Sequence, residues 1–85
     1  MKIQLRFFAS VREALGVSQE EVTVPDAVDT VGKVRAFLQE RGGIWAETLA
    51  EGRSLRMACD QQMCDADTPI RDGGEVAFFP PVTGG

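Results

Sequence analysis

Asp72-Gly73-Gly74-Glu75-Val76-Ala77-Phe78-Phe79-Pro80-Pro81-Val82-Thr83-Gly84-Gly85 closes this chain of 85 residues, and its reading decides the rest. Asp72-Gly73-Gly74 is a turn signal, because glycine tolerates the positive φ that tight turns require. Glu75–Phe79 then alternates with the period of a half-buried strand, Val76 and Phe78 pointing in, Ala77 and Phe79 pointing out. Pro80 and Pro81 lack an N–H and hold φ near its polyproline value, so the ladder must stop before them. From Phe79 the remaining residues reach roughly 20 Å when extended, at about 3.3 Å each. Val82, Thr83, Gly84 and Gly85 thus make a slender tail whose α-carboxylate has nothing bulky beside it. The organisation expected is one domain over residues 1–79 and an extended Pro-Pro-Val-Thr-Gly-Gly tail over 80–85. Terminal glycines are often frayed ends. With the proline spacer, they suit a terminus fed into another protein's narrow active site and modified there.

Working back from this strand, residues 2–8 alternate as well. Ile3, Leu5 and Phe7 share one face, Lys2, Gln4 and Arg6 the other, and Phe8 falls on the polar side. Ser10 with Glu13 three residues on reads as a capping box for a small helix, with Val11 and Leu15 on one face and Gly16 as its stop. A second strand is expected over Glu20–Val24, with Val22 and Val24 inward, ended by Pro25-Asp26. Thr30 is placed to cap the main helix, whose core stripe is Val31, Val34 and Leu38 with Phe37 beside it; Gly42-Gly43 should terminate it. Gly32 in its first turn costs roughly 0.5–1 kcal/mol relative to alanine, less near an end. A helical turn over Trp45–Leu49 follows, then a turn at Glu51-Gly52. Leu55, Met57 and Cys59 alternate with Arg56 and Ala58 as a third strand, and Met63-Cys64 forms a stub of a fourth.

Strand, small helix, strand, main helix, turn, strand, short strand, strand is the order of the β-grasp, or ubiquitin-like, roll. This is an α+β fold: a mixed sheet with one main helix packed across it and, here, a flexible C-terminal tail. The first and last strands should be neighbours, and the crossover through the helix right-handed.

Composition narrows the function. The formal net charge of −4 argues against a nucleic-acid binder, which would carry a basic face. No apolar run approaches transmembrane length and the first residues do not resemble a signal peptide, so the cytoplasm is the compartment expected and no membrane partner is foreseen. The chain has neither histidine nor tyrosine. The commonest metal ligand and the usual general base are therefore missing, and no metal site is expected. Cys59 and Cys64 are not spaced as a C-x-x-C motif and read as small buried hydrophobes rather than a sulfur relay. Asp60, Asp65, Asp67 and Asp72 lack the glycine and glutamate of a calcium loop and read as solvated turns.

The closing stretch from Asp72 to Gly85 closely resembles the C-terminus of the molybdopterin synthase small subunit, the MoaD family. Leu5-Arg6-Phe7-Phe8-Ala9 and Val11-Arg12-Glu13 resemble that family's first strand and small helix. The chain departs from the family's pattern at Cys59-Asp60, usually a small apolar residue and asparagine, and at Gly74, where an acidic residue is common. The resemblance implies a sulfur-carrier subunit for molybdenum cofactor biosynthesis. Gly85 would be adenylated by a partner resembling ubiquitin-activating enzymes, which uses ATP and magnesium. It would then take sulfur from a persulfide donor as a C-terminal thiocarboxylate. The tail, Pro80 to Gly84 carrying Gly85, would enter the large synthase subunit and give sulfur to cyclic pyranopterin monophosphate, forming the dithiolene. The family further implies a heterotetramer, catalytic residues in the large subunit, and no stably bound cofactor on this chain.

The residue chemistry points the same way. An α-carboxylate, with a pKa of about 3.5, is ionised at pH 7 and resists nucleophiles until activated. Glycine leaves its acyl carbon unhindered, and no side chain offers a nucleophile and base together. Two phenylalanines on the polar face, Phe8 and Phe79, with Met63 on the adjoining segment, predict a partner interface. Two alternatives remain at this point: a ubiquitin-like modifier joined through Gly85 to target lysines, and a sulfur carrier of the thiamine type. A free-standing enzyme ranks last.

Overall fold

Two strands that are far apart in sequence form the centre of the molecule. The computed structural model describes residues 1–81; Val82, Thr83, Gly84 and Gly85, the last four residues of the expected tail, lie outside the described residues. β1 (Lys2–Phe7) runs parallel to β5 (Glu75–Phe79), in the register Leu5↔Val76 and Phe7↔Phe78. β2 (Gln19–Thr23) flanks β1 antiparallel, and β3 (Arg56–Cys59) flanks β5 antiparallel. β4 (Gln62–Cys64) forms the far edge, so the sheet is mixed with order β2-β1-β5-β3-β4. The β-grasp order and the first-beside-last pairing stand as the alternation predicted.

One face of the sheet is covered. Ile3, Leu5, Phe7, Val76 and Phe78 are buried against Val31, Val34 and Leu38 of α2 (Val31–Gln39), with Val11 of α1 (Ala9–Leu15) and Leu49 completing the core. Trp45 of α3 (Gly43–Thr48) meets Phe7 edge-on with centroids 5.6 Å apart, and Phe7 stacks on Phe78 at 6.2 Å. Burying each such side chain contributes about 1.5–3 kcal/mol.

Several local expectations are corrected. Ser10 does not cap α1: the helix opens two residues earlier, with Phe8 at the N-cap position and no side-chain cap bond. The strand hands directly over to the helix because Ala9 turns the backbone at φ 51°, leaving Ser10 inside the helix. Gly16 does end α1, at φ 75°, its N–H on the Arg12 carbonyl. Thr30 caps α2 as expected, its hydroxyl accepting the Lys33 N–H at 3.2 Å. That helix ends at Gln39, before Gly42-Gly43, which instead open α3 with positive φ at both residues. The short helix is therefore Gly43–Thr48 rather than Trp45–Leu49, and β2 lies one residue earlier than expected. Ala77 faces outward by register yet is buried, because its small side chain lies among larger neighbours in a central strand.

Arg35 was not foreseen as a core residue. It occupies the i+4 position from Val31 on the apolar stripe and is only 8% exposed. Its Nε donates to the Leu49 carbonyl at 2.8 Å, and Nη2 donates to the carbonyls of Ala50 and Arg53. Gln39 Nε2 donates to the Leu49 carbonyl as well. The buried cation thereby fastens the end of α3 and the following turn to α2, its charge met by carbonyl dipoles at the C-terminal end of a helix.

Candidate functional site

The open face of the sheet is set by the register of β1 on β5. With Phe7 opposite Phe78 on the covered side, the next residues, Phe8 and Phe79, emerge together on the other. Their rings meet edge to face with centroids 6.3 Å apart, a favoured aromatic geometry. The Phe8 N–H donates to the Phe78 carbonyl at 3.3 Å, extending the ladder one step past the strand and fixing where the ring stands. The left-handed turn at Ala9 then sends the chain beneath the sheet, so Phe8 remains on the open side at 41% exposure.

Charged groups frame the pair. The Arg6 guanidinium lies over the Phe8 ring, 5.4 Å from its centroid, while also facing Glu75 at 3.7 Å. Arg56 pairs with Phe79 across β3 and β5. Further along this face Ala77, Ala58 and Met63 line up on successive strands. Met63 is 62% exposed, but β3 stands between its strand and β5, so the aromatic pair and the methionine are separated by a shallow floor of alanines. Pro80 and Pro81 follow Phe79 directly, so the chain leaves the middle of the sheet beside the exposed Phe8 and the half-buried Phe79.

The two cysteines lie elsewhere. By register their side chains take the covered side, at the β3–β4 edge. Both are free thiols, and Cys59 Sγ is 3.9 Å from the Pro69 carbonyl. Burial, then the negative charge of Asp60, pushes the Cys59 thiol above its ordinary pKa; burial, then Cys59, does the same to Cys64. Thiols raised in this way are poor nucleophiles at neutral pH, which favours the packing role over a relay.

Three of the four acidic residues weighed as a cation site are engaged by hydrogen bonds, Asp65 within its own turn and Asp72 and Asp60 with segments distant in sequence. Asp65 Oδ1 accepts the Asp67 N–H at 2.9 Å and the Thr68 hydroxyl at 3.3 Å. Asp72 Oδ1 accepts the Lys2 N–H at 2.7 Å. Asp60 accepts the Glu75 N–H and Arg71 Nε, both at 3.0 Å. The Glu75 bond first, then Arg71, holds the Asp60 carboxyl below its usual range. Among the described residues no group of three histidine, cysteine, aspartate or glutamate side chains is placed to hold a metal ion. No helix among them is long and apolar enough to cross a membrane.

A family model described as the ThiS family matches residues 5–85, nearly the whole chain. The molybdopterin synthase sulfur carrier subunit of Escherichia coli (strain K12) is 42% identical over 83 residues, covering 98% of this chain and 99% of that protein. The chain belongs to the molybdopterin synthase small-subunit family. A solved complex of subunits 1 and 2 of the molybdopterin-converting factor from Helicobacter pylori 26695 contains a chain 28% identical to this one, with TM-score 0.66 and full coverage of both. SAMP1 from Haloferax volcanii superposes with TM-score 0.76 over both full chains at 22% identity, which establishes the shared ubiquitin-like fold alone.

A cavity borders the point where the chain leaves β5. It lies between α1, α3 and the segment entering β3, and has Pro80 on its rim. Neither this cavity nor the aromatic pair was legible as a site in any single segment, because each is assembled from residues distant in sequence. Arg41 completes a cluster on the covered side: it bonds Glu20 with both guanidinium nitrogens and lies over Trp45 at 4.3 Å. That cluster ties β2 to α3.

Proposed function

We propose that this protein is the sulfur-carrying subunit of a molybdopterin synthase, with the Gly85 carboxylate as the carrying group. Of the structural observations, the placement of the tail carries most weight. Pro80 and Pro81 leave the central strand β5, pinned between β1 and β3, beside the exposed Phe8 and the half-buried Phe79. Such a frame fixes the origin of the tail while a partner docks on the aromatics around it. The name of the Escherichia coli relative and the two-subunit complex from Helicobacter pylori support the same reading.

The chemistry follows from a carboxylate that must be activated. An adenylating partner would join the Gly85 carboxylate to the α-phosphate of ATP, releasing pyrophosphate. The outer sulfur of a persulfide donor would attack the acyl carbon and displace AMP, and a thiol would then cleave the acyl disulfide, forming a disulfide with the donor's sulfur and releasing the thiocarboxylate. The large subunit would supply the catalytic groups and bind cyclic pyranopterin monophosphate; this chain would supply sulfur and docking surface. Intact-mass measurement after incubation with the activating enzyme, ATP, magnesium and a persulfide source tests the proposal. An oxygen-for-sulfur increment on Gly85 is expected, and a chain lacking Gly85 should fold normally and carry none. Normal sulfur transfer by that shortened chain would end the proposal.

A further inference from the structure

Opposite its core stripe, α2 carries a second ordered face. Val31, Val34, Arg35 and Leu38 are buried, whereas Lys33, Ala36 and Glu40 are exposed and Phe37 is half-buried. At 3.6 residues per turn, positions 33, 36, 37 and 40 share one side of the helix, turned away from the sheet. Glu40 belongs to it because the C-cap keeps helical angles, φ −66° and ψ −13°. Together with Ala27 and Val28 of the preceding segment, these four residues border a shallow hollow of about 210 Å³. Its apolar lining is Ala27, Val28, Ala36 and Phe37, and its charges are Lys33 and Glu40, about 10 Å apart along the helix.

The order of these residues is complementary to itself. Laid antiparallel on its own copy, with a two-fold axis between positions 36 and 37, the face sets each Lys33 opposite the other copy's Glu40. The same register sets each Phe37 opposite the other copy's Ala36, so a large side chain meets a small one at both places. A two-fold interface requires this matching of one surface with itself. A parallel alignment fails, because it sets Lys33 on Lys33 and Phe37 on Phe37. Both charges are available for the contact. Lys33 Nζ meets Asp29 at 3.0 Å with both side chains more than half exposed, a weak pair within one helical turn. No ion pair among the described residues holds Glu40.

We infer that this outer face of α2 is a self-association surface, covered by the same face of a second copy of the chain. The contact is small and belongs to the weak, transient class, so it forms and parts with concentration. It lies on the side of α2 away from the sheet. Both copies therefore keep the Phe8–Phe79 face and the end of β5 open, and two carriers stand back to back with each free to dock.

Sedimentation equilibrium and an NMR dilution series on the isotope-labelled full chain test the inference. Resonances of Val28, Lys33, Ala36, Phe37 and Glu40 are expected to move with concentration while those of Phe8 and Met63 stay in place. Lys33→Glu and Glu40→Lys should each weaken association about tenfold or more, since each sets like charges opposite one another. Mixed in equal amounts, the two variants should associate with each other at least as well as the wild type, because every acidic position then faces a basic one. Both variants keep the fold: the positions are exposed, and the Thr30 cap takes the backbone N–H of residue 33. Ala36→Gln, which fills the space facing Phe37, should abolish association. The inference is overturned if the wild type stays monomeric up to about 1 mM, or if the mixture associates no better than its components. It is equally overturned if the concentration-dependent shifts fall on Phe8 and Met63, which would put self-association on the open face of the sheet. None of these readouts involves Gly85, so failure of the α2 contact leaves the carrier reading standing, and absent thiocarboxylate leaves the contact standing.

Discussion

Asp60 and Gly74 meet at the foot of the sheet: a β-carbon added at residue 74 would lie 3.3 Å from Asp60 Oδ1 and 3.0 Å from the Arg71 carbonyl oxygen. An acidic side chain at 74 would set a second carboxylate beside Asp60. With glycine there, Asp60 accepts the Glu75 N–H and Arg71 Nε instead.

Gly74→Asp should therefore destabilise this chain by about 1–3 kcal/mol, through crowding against backbone and like-charge proximity. Asp60→Asn should recover part of that loss, a coupling that a double-mutant cycle in urea would measure. Additive effects would show that the two residues do not interact. The pH dependence has a definite sign. A carboxyl lowered in the folded state contributes stability that is complete above the unfolded value of about 3.9 and is lost as pH falls through the folded one. Asp60→Asn should remove that part of the acid transition.

Phe79→Ala and Phe78→Ala separate docking surface from core. Phe78 is fully buried, and its truncation should cost about 3–5 kcal/mol of folding stability. Phe79 lies on the open face against Phe8, and its loss should weaken binding of the large subunit by about 2 kcal/mol or more, roughly thirtyfold. Thermal melts and titration calorimetry check the pair. Unchanged affinity in the Phe79 variant would place the interface elsewhere.

Two backbone positions should respond in opposite directions. Asp60 and Gln61 both have positive φ in the two-residue turn between β3 and β4, where glycine is favoured at the second place. Gln61→Gly should stabilise the domain by up to about 1 kcal/mol. Gly32→Ala should destabilise it despite alanine's better helix propensity, because its β-carbon would approach the Ala66 β-carbon to 2.9 Å. Overpacking of this kind costs about 1–3 kcal/mol, more than the gain of about 1 kcal/mol from propensity. Chemical denaturation of both variants tests the signs.

Cys59 and Cys64 should react with iodoacetamide more slowly than free cysteine at pH 8, since burial raises both thiols. Asp60→Asn should speed alkylation of Cys59, because removing the neighbouring negative charge lowers its pKa. Equal rates in the two proteins would show that Asp60 has no influence on that thiol.

The strands at the centre were legible because β1 and β5 each bury one face, so Ile3, Leu5, Phe7, Val76 and Phe78 carry the period-2 signal undiluted. Thr30 was legible because a cap is a local bond over three residues. What escaped depends on distant partners. Ser10 offers good capping chemistry, but β1's continuation along β5 dictates where the helix begins. Arg35 reads as a surface residue until the carbonyls 14 to 18 positions later fold around it. The Phe8–Phe79 pair was legible on alternation plus topology; the cavity bordering Pro80 was not, since four separate segments build it.

Traction is a load that the sheet is arranged to resist. A pull on Pro80 along β5 acts across hydrogen bonds to β1 on one side and β3 on the other. Those bonds lie roughly perpendicular to the pull and share it in shear. An edge strand such as β4 would instead peel away bond by bond. A load applied at Pro80 would therefore be met by both neighbouring strands while β5 holds.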